Sequence, residues 1–170
     1  MDGMKATMTT NHGTINLTLF ADQAPKTVDN FVGLATGKKS YSKPNASGGD
    51  SGPFYDGSVF HRVISGFMIQ GGDPTGQGNG GPGYEFEDEL PAAGEYEIGS
   101  LAMANAGPDT NGSQFFVVTG DSGVALPPDY SLFGKVTSGM ETVREIEEDG
   151  SPDGSPGEQH TIDSITITEK

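Results

Sequence analysis

Phe60-His61-Arg62-Val63-Ile64-Ser65-Gly66-Phe67-Met68-Ile69-Gln70-Gly71-Gly72-Asp73 is the stretch on which the reading of this chain turns. Most of it is apolar and strand-like. An arginine and a glutamine interrupt that pattern. The chain holds only two arginines, Arg62 and Arg144. Arg144 falls in a helical pattern among acids and needs no special account. A guanidinium beside Phe60, Val63, Phe67 and Met68 is costly to desolvate unless partnered. Arg62 is therefore either one half of a buried ion pair or a donor aimed into an apolar pocket.

A second segment, Leu101-Ala102-Met103-Ala104-Asn105-Ala106-Gly107-Pro108-Asp109-Thr110-Asn111-Gly112-Ser113-Gln114-Phe115-Phe116, reads as strand, turn-rich loop, strand. Strand alternation puts Gln114 with Phe116 and Met103 with Asn105 on shared faces. Taken alone, Phe116 and Met68 read more readily as core than as site.

Working outward, strand signals dominate. Thr14–Phe20 alternates with Ile15, Leu17 and Leu19 on one face, and Asn11-His12-Gly13 predicts the turn joining it to Lys5–Thr10. Further strands are expected at Ser58–Ile64, Phe67–Gly71, Glu97–Met103, Ser113–Thr119, Ser131–Val136 and Thr161–Thr168. Two helices are expected. One opens on Pro25, carries Val28, Phe31, Val32 and Ala35, and stops at Gly37. The other follows a capping box at Ser138-Gly139-Met140-Glu141, buries Met140, Val143 and Ile146, and ends at Gly150. The 27 glycines suit the tight turns of an all-β barrel. Residues 38–54 form a long polar loop. Asp149-Gly150-Ser151-Pro152 is doubled as Asp153-Gly154-Ser155-Pro156, which reads as a turn-rich surface loop.

Several motifs carry no chemistry. Gly76, Gly78 and Gly81 match G-x-G-x-x-G, but no helix pattern follows within a βαβ unit. Gly37-Lys38-Lys39-Ser40 lacks the first glycine of a phosphate loop, since residue 32 is Val. His12, His61 and His160 are far apart with no ligand spacing, so no metal site is expected. G-x-S-x-G is absent. Glu145, Glu147, Glu148 and Asp149 read as a solvated acidic face.

The 170 residues suit a single domain spanning 1–170. There is no cysteine, hence no disulfide framework. Met1–Thr10 has no apolar run resembling a signal peptide, and no stretch approaches the roughly 18 apolar residues of a membrane span. A cytoplasmic, monomeric protein is expected. With 24 Asp and Glu against 9 Lys and Arg, the net charge is -15. Such a surface repels nucleic acid. Adaptation to high internal salt, where self-repulsion is screened, is the favoured source of that imbalance.

The two opening segments together resemble the cyclophilin family. The first is similar to its F-H-R-V-I-x-G-F-M-x-Q-G-G-D signature at every fixed position, and the second to its M-A-N-A-G-x-x-T-N-G-S-Q-F-F segment. Phe133-Gly134-Lys135-Val136 resembles a third family segment, and the resemblance extends over roughly Lys5–Thr168. It implies a mainly β fold, a closed eight-stranded antiparallel barrel capped by two α-helices. It implies peptidyl-prolyl cis–trans isomerase activity that assists protein folding. The alternatives are a non-catalytic module that binds proline segments and a holdase chaperone.

Carried over, the resemblance makes Phe67, Met68, Phe116 and Leu126 a proline pocket. Arg62 and Gln70 flank it, and His61, Ala104, Asn105, Gln114 and Tyr130 surround the peptide groove. Arg62, Gln70 and Phe67 are the expected catalytic group. No cofactor or metal is implied, and the implied partners are proline-containing peptides and unfolded proteins. Two departures stand out. Ser65 replaces the family's usual proline. The chain has no tryptophan, and Ala125 takes the place of the one that contacts cyclosporin in many members, so cyclosporin is expected to bind with reduced affinity.

Overall fold

The computed structural model describes residues 4–168. Residues 1–3, part of the amino-terminal stretch read above, lie outside the described residues. Eight strands form one antiparallel sheet: β1 (Lys5–Thr10), β2 (Gly13–Leu19), β3 (Arg62–Ile64), β4 (Met68–Gly71), β5 (Ser100–Met103), β6 (Phe115–Val118), β7 (Leu132–Ser138) and β8 (Ile162–Thr168). Their order is β3-β4-β6-β5-β7-β2-β1-β8. The β1–β2 hairpin turns on Asn11 and His12, with Thr10 opposite Gly13.

The full closure expected of a barrel is not observed. The sheet is an open half-barrel whose end strands, β3 and β8, do not pair with each other. Residues 57–60 span part of the gap: Val59 faces Asp73 on one side and Thr161 on the other, and backbone hydrogen bonds join Phe60 N–H to the His160 carbonyl (2.9 Å), Gly57 N–H to the Ile162 carbonyl (2.7 Å) and Ile162 N–H to the Ser58 carbonyl (2.7 Å). The cause is local. The strand expected over Ser58–Ile64 is regular only at Arg62–Ile64. Its free edge is taken by the 150s loop, where the Val63 N–H donates to the Gly154 carbonyl (2.9 Å) and the Val63 carbonyl accepts from the Ser151 N–H (3.2 Å).

Among the described residues three helices, not two, accompany the sheet. α1 (Pro25–Thr36) has Pro at its start and Gly37 as a left-handed cap, as expected. Its buried stripe includes Leu34, whereas Val32 is only partly covered. Phe31 of α1 packs against Tyr55, Phe115 and Phe133 at ring separations of 5.3–5.7 Å and so plugs the concave side of the sheet. α2 (Asp121–Val124) is a single turn that sequence periodicity could not reveal. α3 (Met140–Glu148) lacks the expected capping box. β7 runs through Ser138, so the cap falls to Gly139, which has no side chain. Its φ of +90° and its approach to Thr14 explain the choice, since a Cβ there would sit 2.3 Å from the Thr14 carbonyl oxygen. No helix among the described residues is long and apolar enough to cross a membrane.

Strand alternation sorts side chains into two apolar clusters. Ile69, Leu101, Met103, Phe115 and Val117 point into the main core with Met8, Ile15, Leu17 and Leu19. Met68, Ala102, Phe116 and Val118 point to the opposite face and form a second cluster with Tyr96 and Leu132. β5 and β6 are thus buried on both faces. The second cluster is the floor of the site described next.

Candidate active site

Cross-strand register builds this floor. Gln70 of β4 faces Phe116 of β6, which faces Ala102 of β5, while Met68 faces Val118. Leu126 and Tyr130, delivered by the segment after α2, close the far wall. The Tyr130 ring meets Phe116 edge to face at 5.4 Å. Tyr96 holds Tyr130 in place, its hydroxyl donating to the Tyr130 carbonyl (2.6 Å) and accepting the Tyr130 N–H (3.1 Å). Arg62, Phe67, Met68, Gln70, Ala104, Asn105, Phe116, Leu126 and Tyr130 enclose a cavity of about 120 Å³. Met68 and Phe116 are almost fully buried and also line this cavity.

Arg62 is not half of a buried ion pair. It is exposed, and among the described residues no carboxylate pairs with it. Its Nη1 donates to Gln70 Oε1 at 3.3 Å, and its guanidinium lies 5.9 Å from the centre of the Phe67 ring. A chain of amides fixes that arrangement. Gln70 Nε2 donates to Gln114 Oε1 (3.0 Å), and Gln114 Nε2 donates to the carbonyls of Gly78 (3.0 Å) and Gly80 (3.1 Å). Because guanidinium only donates, each amide in the chain can point only one way.

The loop receiving this chain is tied to Asp73, whose carboxylate accepts N–H bonds from Thr75 (2.8 Å), Gly78 (2.5 Å) and Gly80 (3.1 Å). Burial works against the Asp73 charge, but these bonds outweigh it and hold the carboxyl below its ordinary range. Of the glycines at 76, 78 and 81, Gly78 thus bonds a carboxylate and Gly76 the Asp73 carbonyl (3.0 Å), and no helix follows them.

Two expected residues sit differently. Gln114 lies outside the small cavity and lines a larger neighbouring one of about 930 Å³, which shares Gln70, Ala104 and Asn105 with it. His61 lines neither cavity. It is turned toward Gly78, and burial holds its imidazole below the ordinary value in spite of the Asp73 charge. Asn105 reaches the groove, but its side chain is committed: Nδ2 donates to the Asp129 carbonyl (2.9 Å) and Oδ1 accepts the Gly107 N–H (3.1 Å).

The sequence model of a family described as "Cyclophilin type peptidyl-prolyl cis-trans isomerase/CLD" matches residues 5–169. The chain belongs to the cyclophilin-type peptidyl-prolyl cis–trans isomerase family. It is similar to the probable peptidyl-prolyl cis-trans isomerase A of Mycobacterium leprae, 55% identical over 167 residues that cover 96% of this chain and 91% of that protein. The peptidyl-prolyl cis-trans isomerase A of Mycobacterium tuberculosis is 53% identical over 169 residues, with the same coverage of each. Among solved structures, a cyclophilin-type isomerase of Cryptosporidium parvum superposes with a TM-score of 0.79 at 35% identity, covering 99% of both chains. A structure of that protein in the presence of the dipeptide Ala-Pro gives 0.78 at 36% identity, covering 98% of this chain and 99% of that one.

Three features of this cyclophilin fold were missed by sequence reasoning. Glu147, read as part of a solvated face, is buried. It accepts the Gly66 N–H (2.8 Å) at the β3–β4 turn and pairs with Arg144 (2.7 Å), which also donates to the Thr119 carbonyl. Its position four residues after Val143 was the available signal, since it continues the buried stripe of α3. His12 and His160, 148 residues apart, share a hydrogen bond of 2.6 Å, and His160 also bonds Asp149 (2.7 Å). The third is the doubled tetrapeptide, which reaches β3.

Proposed function

We propose that this chain catalyses rotation about X–Pro peptide bonds, with Arg62 as its principal catalytic residue. Amide resonance gives that rotation a barrier of about 18–20 kcal/mol and makes it take tens to hundreds of seconds unaided. In the twisted transition state the proline nitrogen regains a localised lone pair. A donor that bonds this lone pair favours the transition state over the planar ground state. Arg62 is always charged and donates from a planar fork. The observation that carries the reading is the lone guanidinium on the rim of a cavity floored by apolar side chains, oriented by Gln70 and free of any carboxylate among the described residues.

Phe67, Met68, Phe116 and Leu126 would hold the proline ring and exclude water. The Asn105 backbone would align the peptide in strand-like fashion, with Gln114 and Tyr130 beside it. The Ala-Pro dipeptide of the Cryptosporidium parvum structure supports a proline-sized ligand. No nucleophile or base takes part. Clients among proline-containing and unfolded proteins, a single monomeric domain, a cytoplasmic location, weak cyclosporin binding and adaptation to high salt belong to the same proposal.

A protease-coupled isomerisation assay on a short X–Pro peptide tests it. Arg62→Ala should lower kcat/KM by about two to three decades, the scale of one lost transition-state hydrogen bond, with an unchanged circular dichroism spectrum. Arg62→Lys should recover only part of the loss, because the fork is gone. Near-normal turnover in Arg62→Ala would overturn the mechanism. A wild type that binds the peptide without accelerating rotation would leave only a binding module.

A further inference from the structure

The doubled tetrapeptide Asp149–Pro156 lies against the stem of Arg62. A Cβ built on Gly154 would sit 2.9 Å from Arg62 Cγ, 3.6 Å from Nε and 3.7 Å from Cδ. No side chain other than hydrogen fits between that backbone and the arginine, and Gly154 adopts a φ of +89°. The same turn is bonded to β3 at the next residue through Val63 N–H and C=O. Three supports thus surround the Arg62 side chain: Gln70 at its Nη1, the Phe67 ring beside its guanidinium, and the Gly154 backbone under its stem.

The loop is built to hold that position without pairing with the arginine. Asp153 is an exposed carboxylate one residue from Gly154, yet it forms no ion pair with Arg62. Its Oδ1 instead accepts the Ser151 hydroxyl (2.5 Å) and the Ser155 N–H (2.9 Å). The single Ser151 O–H is shared with the Ser155 carbonyl, which lies 2.8 Å from Oγ, and the Gly154 N–H donates to the Ser151 carbonyl (3.0 Å). These bonds close the turn on itself and spend the Asp153 charge locally. The base of the loop is anchored as well: Asp149 accepts the Glu158 N–H (2.8 Å) and bonds His160.

We propose that the Ser151–Ser155 turn is a positioning device for Arg62, with Gly154 as the positioning residue. This rests on the catalytic reading of Arg62 given above. A guanidinium on an exposed side chain would otherwise sample many rotamers. Displacing a reacting group by about 1 Å can cost on the order of a hundredfold in rate.

A double-mutant cycle in the isomerisation assay tests it. Gly154→Ala should lower kcat/KM by about tenfold, and Asp153→Ala, which loosens the turn without adding bulk, by about threefold. In an Arg62→Ala background each change should leave kcat/KM within about twofold. Should Gly154→Ala fail to fold, Asp153→Ala alone decides. Wild-type kcat/KM in both folded variants, or equal losses with and without Arg62, would overturn the proposal. Wild-type kcat/KM in Arg62→Ala itself is a different failure, one that removes the catalytic reading beneath it.

Discussion

Single residues set what this cavity can bind and turn over. Arg62 is exposed, and its orientation comes from neutral partners, an amide and a ring. A carboxylate would hold it more tightly but would occupy the donors that a substrate needs. Ala125 is the other telling position. It is exposed beside the cavity-lining Leu126, and the chain has no tryptophan to offer there. Ala125→Trp should tighten cyclosporin binding by about thirtyfold, the value of one large aromatic contact of ~2 kcal/mol. Inhibition titrations of wild type and variant measure this. Equal inhibition of the two, or low-nanomolar inhibition of the wild type, would contradict it.

At the level of elements, α3 joins the two walls of the cavity. Glu147 binds the turn that presents Phe67, and its partner Arg144 binds the Thr119 carbonyl at the start of the segment leading to Leu126. Burial disfavours the Glu147 charge, yet the Gly66 N–H and Arg144 more than compensate, so its carboxyl titrates below the ordinary glutamate range. A depressed folded-state value means that the charge stabilises the fold above the unfolded value, about pH 4.3. That contribution is lost as pH falls through the folded value. Glu147→Gln should therefore be less stable than wild type by about 1–2 kcal/mol at pH 7. The gap should shrink as pH falls from 5 to 3. Urea unfolding at pH 7, 5 and 3.5 checks this, and a gap constant with pH would refute it.

For the whole molecule, charge is the governing property. A net charge of -15 leaves most carboxylates facing other carboxylates, since the 9 Lys and Arg cannot pair with 24 acids. Among the described residues Lys26–Glu87 is an exposed pair, and such pairs contribute little. Repulsion acts over a Debye length of about 10 Å at 0.1 M salt and about 3 Å at 1 M. Tm should therefore rise between 0.1 M and 2 M KCl, and kcat/KM should not fall, since apolar side chains form the cavity floor and Arg62 is held by neutral groups. Melting curves and the isomerisation assay at both concentrations test this. A flat or falling Tm would remove the salt-adapted reading and leave the isomerase assignment untouched.

Period-two alternation in Ile15-x-Leu17-x-Leu19, and the helix bounded by Pro25 and Gly37, were legible in the chain because they depend on neighbours within a few residues. Arg62 stood out in the chain alone, as a guanidinium within an apolar, strand-like run, whereas Phe67, Met68, Gln70, Ala104, Asn105 and Phe116 were assigned to a pocket through family resemblance, carried by two short, distinctive segments. Leu126 and Tyr130 were placed only through family resemblance, as the turn of α2 leaves no periodic trace. Alternation says which residues share a face, but not what that face meets. The order β4-β6-β5-β7, the burial of Glu147, the contact of His12 with His160 and the seat of Arg62 on Gly154 are pairings across tens of residues or more. The closed barrel was implied by family resemblance alone, and the sheet is an open half-barrel. Only the tertiary structure decides that edge, because it rests on backbone hydrogen bonds between distant segments: Gly154 and Ser151 take the free side of Val63, while residues 57–60 meet the start of β8.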